Sequence, residues 1–356
     1  MSKKWIALIW IGIGLLACDD STDCASDFEL TPYEIPRPEG FPVVEEPADN
    51  PTTVEGVALG RKLFYEKRLS KDNSIACASC HLQENAFSDP NAGSVGVDGQ
   101  TGNRNAMAIV NLAWGKDFFW DGRSKSLEDQ AFLPVIDPIE MHETWTTVVS
   151  KLQNDEDYPT MFEQAFGTSD IDSLLAVKGI AQFERSLVSG NSRYDQFLRG
   201  EISLNSQEIA GLQLFRNEGP VDGIPNGADC FHCHVEPMFT DNTFHNNGLD
   251  ENSSADEGLY NVTGSNVDRA KFKTPTLRNI EYTAPYMHDG RFTTLEEVVE
   301  HYNSGGHASP TVDPLMKYIG EGMQLTEENQ QNLIAFLKAL SDEEFINNPA
   351  FSDPNE

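Results

Sequence analysis

The sequence predicts a mainly α-helical protein made of two copies of one module. Three observations lead there. Cys77-Ala78-Ser79-Cys80-His81 recurs as Cys230-Phe231-His232-Cys233-His234. Each copy follows a segment with apolar residues at helical spacing, Val54 to Leu69 before the first and Ser206 to Asn217 before the second. Alternating strand patterns are scarce along the chain.

The doubled motif carries the chemistry. In a C-x-x-C-H run both thiols can add to the vinyl groups of haem, and the adjacent histidine supplies an iron ligand. One copy alone is also compatible with a zinc half-site or a redox pair. Two full copies favour covalent haem c at Cys77, Cys80 and His81 and again at Cys230, Cys233 and His234. Of six cysteines only Cys18 and Cys24 remain, which leaves none for a Cys₄ zinc or iron–sulfur site. The expected architecture is two cytochrome-c-like haem domains, residues 51–200 and 201–345, with a tail at 346–356.

The chain opens with Lys3, Lys4 and an apolar run from Trp5 to Ala17, too short to span a bilayer and suited to an export signal over residues 1–17. It ends Leu15-Leu16-Ala17-Cys18, which resembles a bacterial lipobox, so Cys18 is the expected lipidation site of a protein facing the periplasm. The alternative is an ordinary signal with an incidental cysteine. Cys24 receives no role. Residues 18–50 are rich in Asp, Glu and Pro and read as a solvated tether. The net charge of −32 and the lack of a basic patch argue against nucleic acid. The acidity suits steering of a basic electron donor and equally a plain soluble surface.

Taken in order, Val54 to Leu69 is the first helix, followed after His81 by a Gly- and Asn-rich stretch over 82–118. A loop this long in a compact domain is usually functional, and here it is expected to wrap the haem. A helix from Ser126 to Phe132 is broken by Pro134 and Pro138. Thr144 to Gln153 and Ile171 to Val188 are amphipathic helices, and Arg193 to Gly200 reads as the link between domains. Ser206 is the expected N-cap of the next helix, with Glu208 in its first turn. Helices over Thr294–Tyr302 and Thr326–Leu340 close the chain.

His81 and His234 are the proximal ligands. The other axial position decides function, because a filled one favours electron transfer and an open one admits a small ligand. Spacing alone does not choose among His142, His232, His245, His288, His301 and His307.

From residue 50 to 342 the chain resembles the bacterial di-haem cytochrome c peroxidases, including the MauG-type enzymes. The resemblance lies in RLSKDNSIACASCH, GQTGNRNAM, FFWDGRSKSLEDQA, PIEM, the CFHCH site and FKTPTLRNIEYTAPYMHDGRFTTLEEVVEHYN. It implies Glu140 as distal acid/base, Gln130 as the residue orienting peroxide, and Trp120 as the aromatic between the haems. It implies a calcium ion held by the Asn105 side chain and the carbonyl oxygens of Thr283 and Pro285. Two departures matter. Many members close the N-terminal haem with a loop histidine, where this chain has Val97, and no histidine lies between His81 and His142. Ordinary peroxidases of the family close the C-terminal haem with a methionine twelve residues beyond the motif glycine. Counting from Gly290 reaches Tyr302, the MauG-type residue, with Met287 as the alternative ligand. The resemblance therefore implies hydrogen peroxide reduction with electrons from a small cytochrome or cupredoxin, at an open N-terminal haem. A MauG-type oxidase of a large substrate is the alternative, and a plain electron-transfer cytochrome the third.

Overall fold

The computed structural model describes residues 28–221, 226–251 and 256–355. The export signal, Cys18 and Cys24 lie outside the described residues. The expectation of a mainly helical protein holds: the helices are α1 (Val54–Phe64), α2 (Leu127–Ile136), α3 (Trp145–Gln153), α4 (Tyr158–Phe166), α5 (Ser173–Ser186), α6 (Arg193–Leu198), α7 (Ser206–Arg216), α8 (Tyr260–Thr263), α9 (Leu295–Ser304), α10 (Glu327–Lys338) and α11 (Glu343–Ile346). Among the described residues the one sheet pairs β1 (Phe244–His245) with β2 (Phe272–Lys273), antiparallel. No described helix is long and apolar enough to cross a membrane.

Several boundaries differ from expectation for local reasons. α1 stops at Phe64, and Lys67–Leu69 forms a separate 3-10 turn capped by the Glu66 carboxylate, which accepts the Arg68 amide. α2 runs through Pro134 to Ile136, because a proline in the last turn removes a single amide bond. α7 is capped by Asn205 rather than Ser206. Asn205 Oδ1 accepts the Glu208 amide at 2.9 Å and Glu208 returns the bond to the Asn205 amide, a closed capping box. The expected interdomain link contains α6, nucleated by a second capping box between Ser192 and Asp195. α4 was not anticipated. It buries Tyr158, Phe162 and Ala165 on one face.

The two halves share the order helix, C-x-x-C-H, hairpin, helix and a later helix packed on the first, with α3 and α4 added in the N-terminal half. α1 crosses α5, and α7 crosses α10. Both crossings carry a glycine. A Cβ on Gly60 would collide with the Gly179 carbonyl oxygen, and one on Gly211 with the Asn332 carbonyl oxygen. Beside each glycine sits a fully buried ring pair, Phe64 with Phe183 at 5.3 Å and Phe215 with Phe336 at 5.2 Å. The hairpins Phe118–Ser124 and Tyr286–Phe292 share the run Asp-Gly-Arg, and each closes with an amide-to-carbonyl bond of 2.7 Å. Asn111 donates its amide to the Leu187 carbonyl as Asn279 does to that of Leu340.

The described parts of the expected solvated tether and of the expected tail both pack on the fold. Ile35 and Phe41 of the acidic 18–50 segment are buried, Phe41 edge-on to Trp114 at 5.2 Å. A tether would leave these apolar residues in water, and burial is favourable. Likewise Phe345 and Phe351 pack with Phe87, and Arg61 donates to the Ser352 and Pro349 carbonyls. The end of the expected C-terminal domain and the expected tail thus both pack on the N-terminal half. A buried seam joins the halves: Asp342 Oδ2 accepts from Ser189 Oγ and from the amides of Gly190 and Asn191. Arg278, 1% exposed, is paired bidentately with Asp195.

Candidate active site

The C-terminal centre is a cavity whose wall includes Cys230, Cys233, His234, Met287 and Tyr302, backed by Leu295, Val299, Leu333 and Leu337. His234 Nδ1 lies 3.1 Å from the Phe239 carbonyl oxygen, an acceptor, so Nδ1 carries the hydrogen and Nε2 keeps its lone pair for a metal. Burial pushes both thiols up to about 12. They are neutral, unpaired and ready for thioether formation. Burial likewise raises the Tyr302 phenol to about 12, against the Asn247 amide that donates to its oxygen at 3.2 Å. The same amide lies 3.5 Å from Met287 Sδ. One asparagine therefore touches both residues considered for the axial position. An apolar slot with two thiols, an oriented imidazole and a phenol fits a covalent haem.

The N-terminal centre is built the same way. His81 Nδ1 lies 2.8 Å from the Phe87 carbonyl oxygen, which again leaves Nε2 for iron. Burial raises the Cys77 and Cys80 thiols, and the Glu140 carboxylate adds to both shifts. Glu140 lies in the turn after α2, and Gln130 lies on α2 itself and is half-buried. The Glu140 carboxyl is raised to about 7, first by burial and then by Asp137, with Arg123 opposing. The Val97 amide donates to the Glu140 carbonyl at 2.8 Å, so the loop that carries Val97 lies directly on the Glu140 turn.

Trp120 is buried, lines the cavity that holds Cys230, Cys233 and His234, and donates from Nε1 to the Asn105 carbonyl at 2.8 Å. The Asn105 amide donates to the His288 carbonyl at 2.8 Å, and the Lys273 amide to the Trp120 carbonyl at 2.9 Å. Asn105, Thr283, Pro285 and Trp120 line the same cavity. The Asn105 side-chain nitrogen donates to the Asn91 carbonyl at 2.9 Å, and Oδ1 is the oxygen this side chain could offer a hard cation.

The histidines that spacing left undecided have other partners. His245 is held between Asp313 at 2.6 Å and Asp241 at 2.8 Å, and those two bonds outweigh burial to raise its pKa. His142 pairs with Asp98, His232 with Asp229 and Glu218, and His301 with the Asn247 carbonyl. His288 stacks on Phe272 at 3.6 Å. Sequence reasoning did not single out Asn247, Lys273 or Arg104, which clamps Asp121 and Asp256 across the halves. Their signal lay in partners far away in sequence.

The fold and the paired centres define a class of two-haem c-type oxidoreductases. Residues 54–203 match the family described as di-haem cytochrome c peroxidase. Methylamine utilization protein MauG of Methylorubrum extorquens is 36% identical over 309 residues, covering 86% of this chain and 83% of that protein. Cytochrome c551 peroxidase of Nitrosomonas europaea is 33% identical, covering 84% of each. A solved MauG-like protein associated with microbial copper homeostasis superposes with a TM-score of 0.84 at 35% identity, over 91% of this chain and all of that one. The chain belongs to the di-haem cytochrome c peroxidase/MauG family, a family of oxidoreductases with two haem groups.

Proposed function

We propose that the protein reduces hydrogen peroxide to water at an open haem on Cys77, Cys80 and His81. Electrons from a small donor protein of cytochrome or cupredoxin type enter through a second haem, ligated by His234 and Tyr302. The observation that carries this reading is the contact between Val97 and Glu140: the loop against the acid/base turn offers a valine, which has no donor atom. The internal repeat supports it. Eleven residues beyond Arg291 stands Tyr302, whereas eleven beyond Arg123 stands Pro134, which cannot ligate iron either.

Bound haem supplies an iron that takes up peroxide and exchanges electrons. The residues of the chain do the rest. Glu140 removes a proton from the nearer peroxide oxygen and returns it to the departing one, a general acid/base role that its pKa of about 7 suits. Gln130 orients the peroxide. Trp120, bonded to Asn105 and Lys273, offers a π-surface between the centres. The chain is placed in the cell envelope, facing the periplasm and anchored through Cys18. Asn105, Thr283 and Pro285 are assigned to a calcium ion.

The test is the ferric holoprotein as isolated. One high-spin and one low-spin haem are expected, both responding to peroxide without a reductant. Two low-spin haems, or inertness until half-reduced, reject the open site. Tyr302→Met should raise the potential of the C-terminal haem, and an unchanged potential removes Tyr302 as its ligand.

The Tyr302 phenol, with the similarity to methylamine utilization proteins MauG, also favours a second reading, oxidation of a protein or other large substrate. Steady-state turnover separates the two. Fast peroxide consumption with a small donor supports the first, and turnover only with a macromolecular substrate supports the second.

A further inference from the structure

Lys273 is a buried lysine, 8% exposed, at the wall of the cavity of the C-terminal centre. Its ammonium donates to the carbonyl oxygens of Asp117, at 2.8 Å, and of Lys116. No carboxylate among the described residues pairs with it. Asp117 is taken by Lys125 at 2.6 Å and Asp241 by His245 at 2.8 Å. Burial pushes the amine down to about 8, against the pull of Asp117 and Asp241. A cation held in a dry place by main-chain carbonyls has the donor set of a hard-metal site, with Nζ at its centre.

The internal repeat identifies which site. Asn105 stands eighteen residues before Arg123, and Lys273 eighteen before Arg291. Thr283 and Pro285 stand eight and six before Arg291, and the matching residues before Arg123 are Gly115 and Asp117. The group Asn105, Thr283 and Pro285 therefore maps onto Lys273, Gly115 and Asp117; the ammonium meets the Asp117 carbonyl, counterpart of Pro285, and the carbonyl of Lys116, one residue beyond the counterpart of Thr283. The backbones agree. The Asn105 amide donates to the carbonyl of His288, and the Lys273 amide to that of Trp120, each three residues before its arginine. Such reciprocal exchange is what two-fold-related halves make.

We propose that the Lys273 ammonium is a tethered cation, occupying in one half the counterpart of the cation site that Asn105, Thr283 and Pro285 form in the other. The first site takes a free divalent ion. The second carries its own charge on the chain, and that charge fixes the loop leading into Trp120. Removing calcium then loosens only the loop at Thr283–Pro285. This inference extends the calcium reading of Asn105, and the two can fail separately.

The experiment uses the holoprotein with Lys273→Ala, Lys273→Met and Lys273→Asn, read by thermal midpoint and by calcium counted per protein after desalting. Lys273→Ala should lose stability and regain it in ethylammonium or calcium at concentrations that leave the wild type unmoved. Lys273→Met, which fills the space without charge, should lose stability and not be rescued. Lys273→Asn should raise bound calcium from one to two equivalents. A Lys273→Met protein as stable as wild type, or a Lys273→Ala protein no more responsive to either cation than wild type, overturns the proposal. Wild type with no bound calcium, alongside Lys273→Ala rescued by ethylammonium, overturns the calcium reading of Asn105 and leaves the tethered cation standing.

Discussion

Glu140 shows how one carboxyl is prepared by its surroundings. Burial comes first, Asp137 adds to it and Arg123 opposes, and the result is a group that titrates at about 7. A general base acts as the carboxylate. The rate of peroxide reaction should therefore climb about tenfold per pH unit below 7 and flatten above it. Glu140→Gln should lose roughly 10²- to 10⁴-fold in rate and lose that pH dependence with it. Stopped-flow spectra between pH 5 and 9 measure both, and a Glu140→Gln protein that keeps the wild-type profile excludes Glu140 as the base. At this scale the sequence was informative where a residue sits in a dense local motif. The expectations for His81, His234 and Glu140 came that way. Lys273 was not, because its meaning depends on carbonyl oxygens of Lys116 and Asp117, more than 150 positions away. Asn247 was hidden for the same reason, its amide reaching Tyr302 and Met287 across 55 and 40 positions.

Helices with an apolar stripe were readable to within a few residues, since α1, α7 and α10 each bury one face in a domain core, while α5 is buried all round over its second half. α4 and α6 were not. α4 is nine residues long and starts with Tyr158-Pro159, and α6 is six residues long and held by its capping box rather than by a stripe. The crossing glycines decide a prediction here. In an isolated helix, glycine to alanine gains about 1 kcal/mol. At Gly60 the added methyl meets the Gly179 backbone, which cannot swing aside as a side chain could. Overpacking costs typically about 1–3 kcal/mol, so the clash should win. Gly60→Ala is expected to lower the denaturation midpoint, and Gly211→Ala to do the same through Asn332 and Phe336. A gain in stability at either position means that the helix pair can separate without loss. The matching response at two sites would also verify that the halves are built on one plan.

At the scale of the whole molecule, the sequence located two modules but not how they are locked together. The sequence divides this end between the C-terminal domain, to 345, and a tail from 346, yet Phe345 and Phe351 stand 5.7 and 6.5 Å from the ring of Phe87. Phe87 is the residue whose carbonyl orients His81. The last segment of the chain, which belongs by sequence to the second half, therefore supports the iron ligand of the first. Tyr65 adds to this by donating its hydroxyl to the Phe351 carbonyl at 2.8 Å. Phe351→Ala should cost about 3 kcal/mol, the low end for a buried phenylalanine, because the ring sits at the edge of its cluster. The protein should melt roughly 5 °C lower. Stability alone would not distinguish a general core from a support for His81, so the second readout is local. Amide exchange over residues 82–88 should accelerate, and the spectrum of the N-terminal haem should broaden, while the C-terminal haem keeps its potential. Equal disturbance of both centres, or none, would mean that the terminal segment stabilises the fold without holding the N-terminal site in shape.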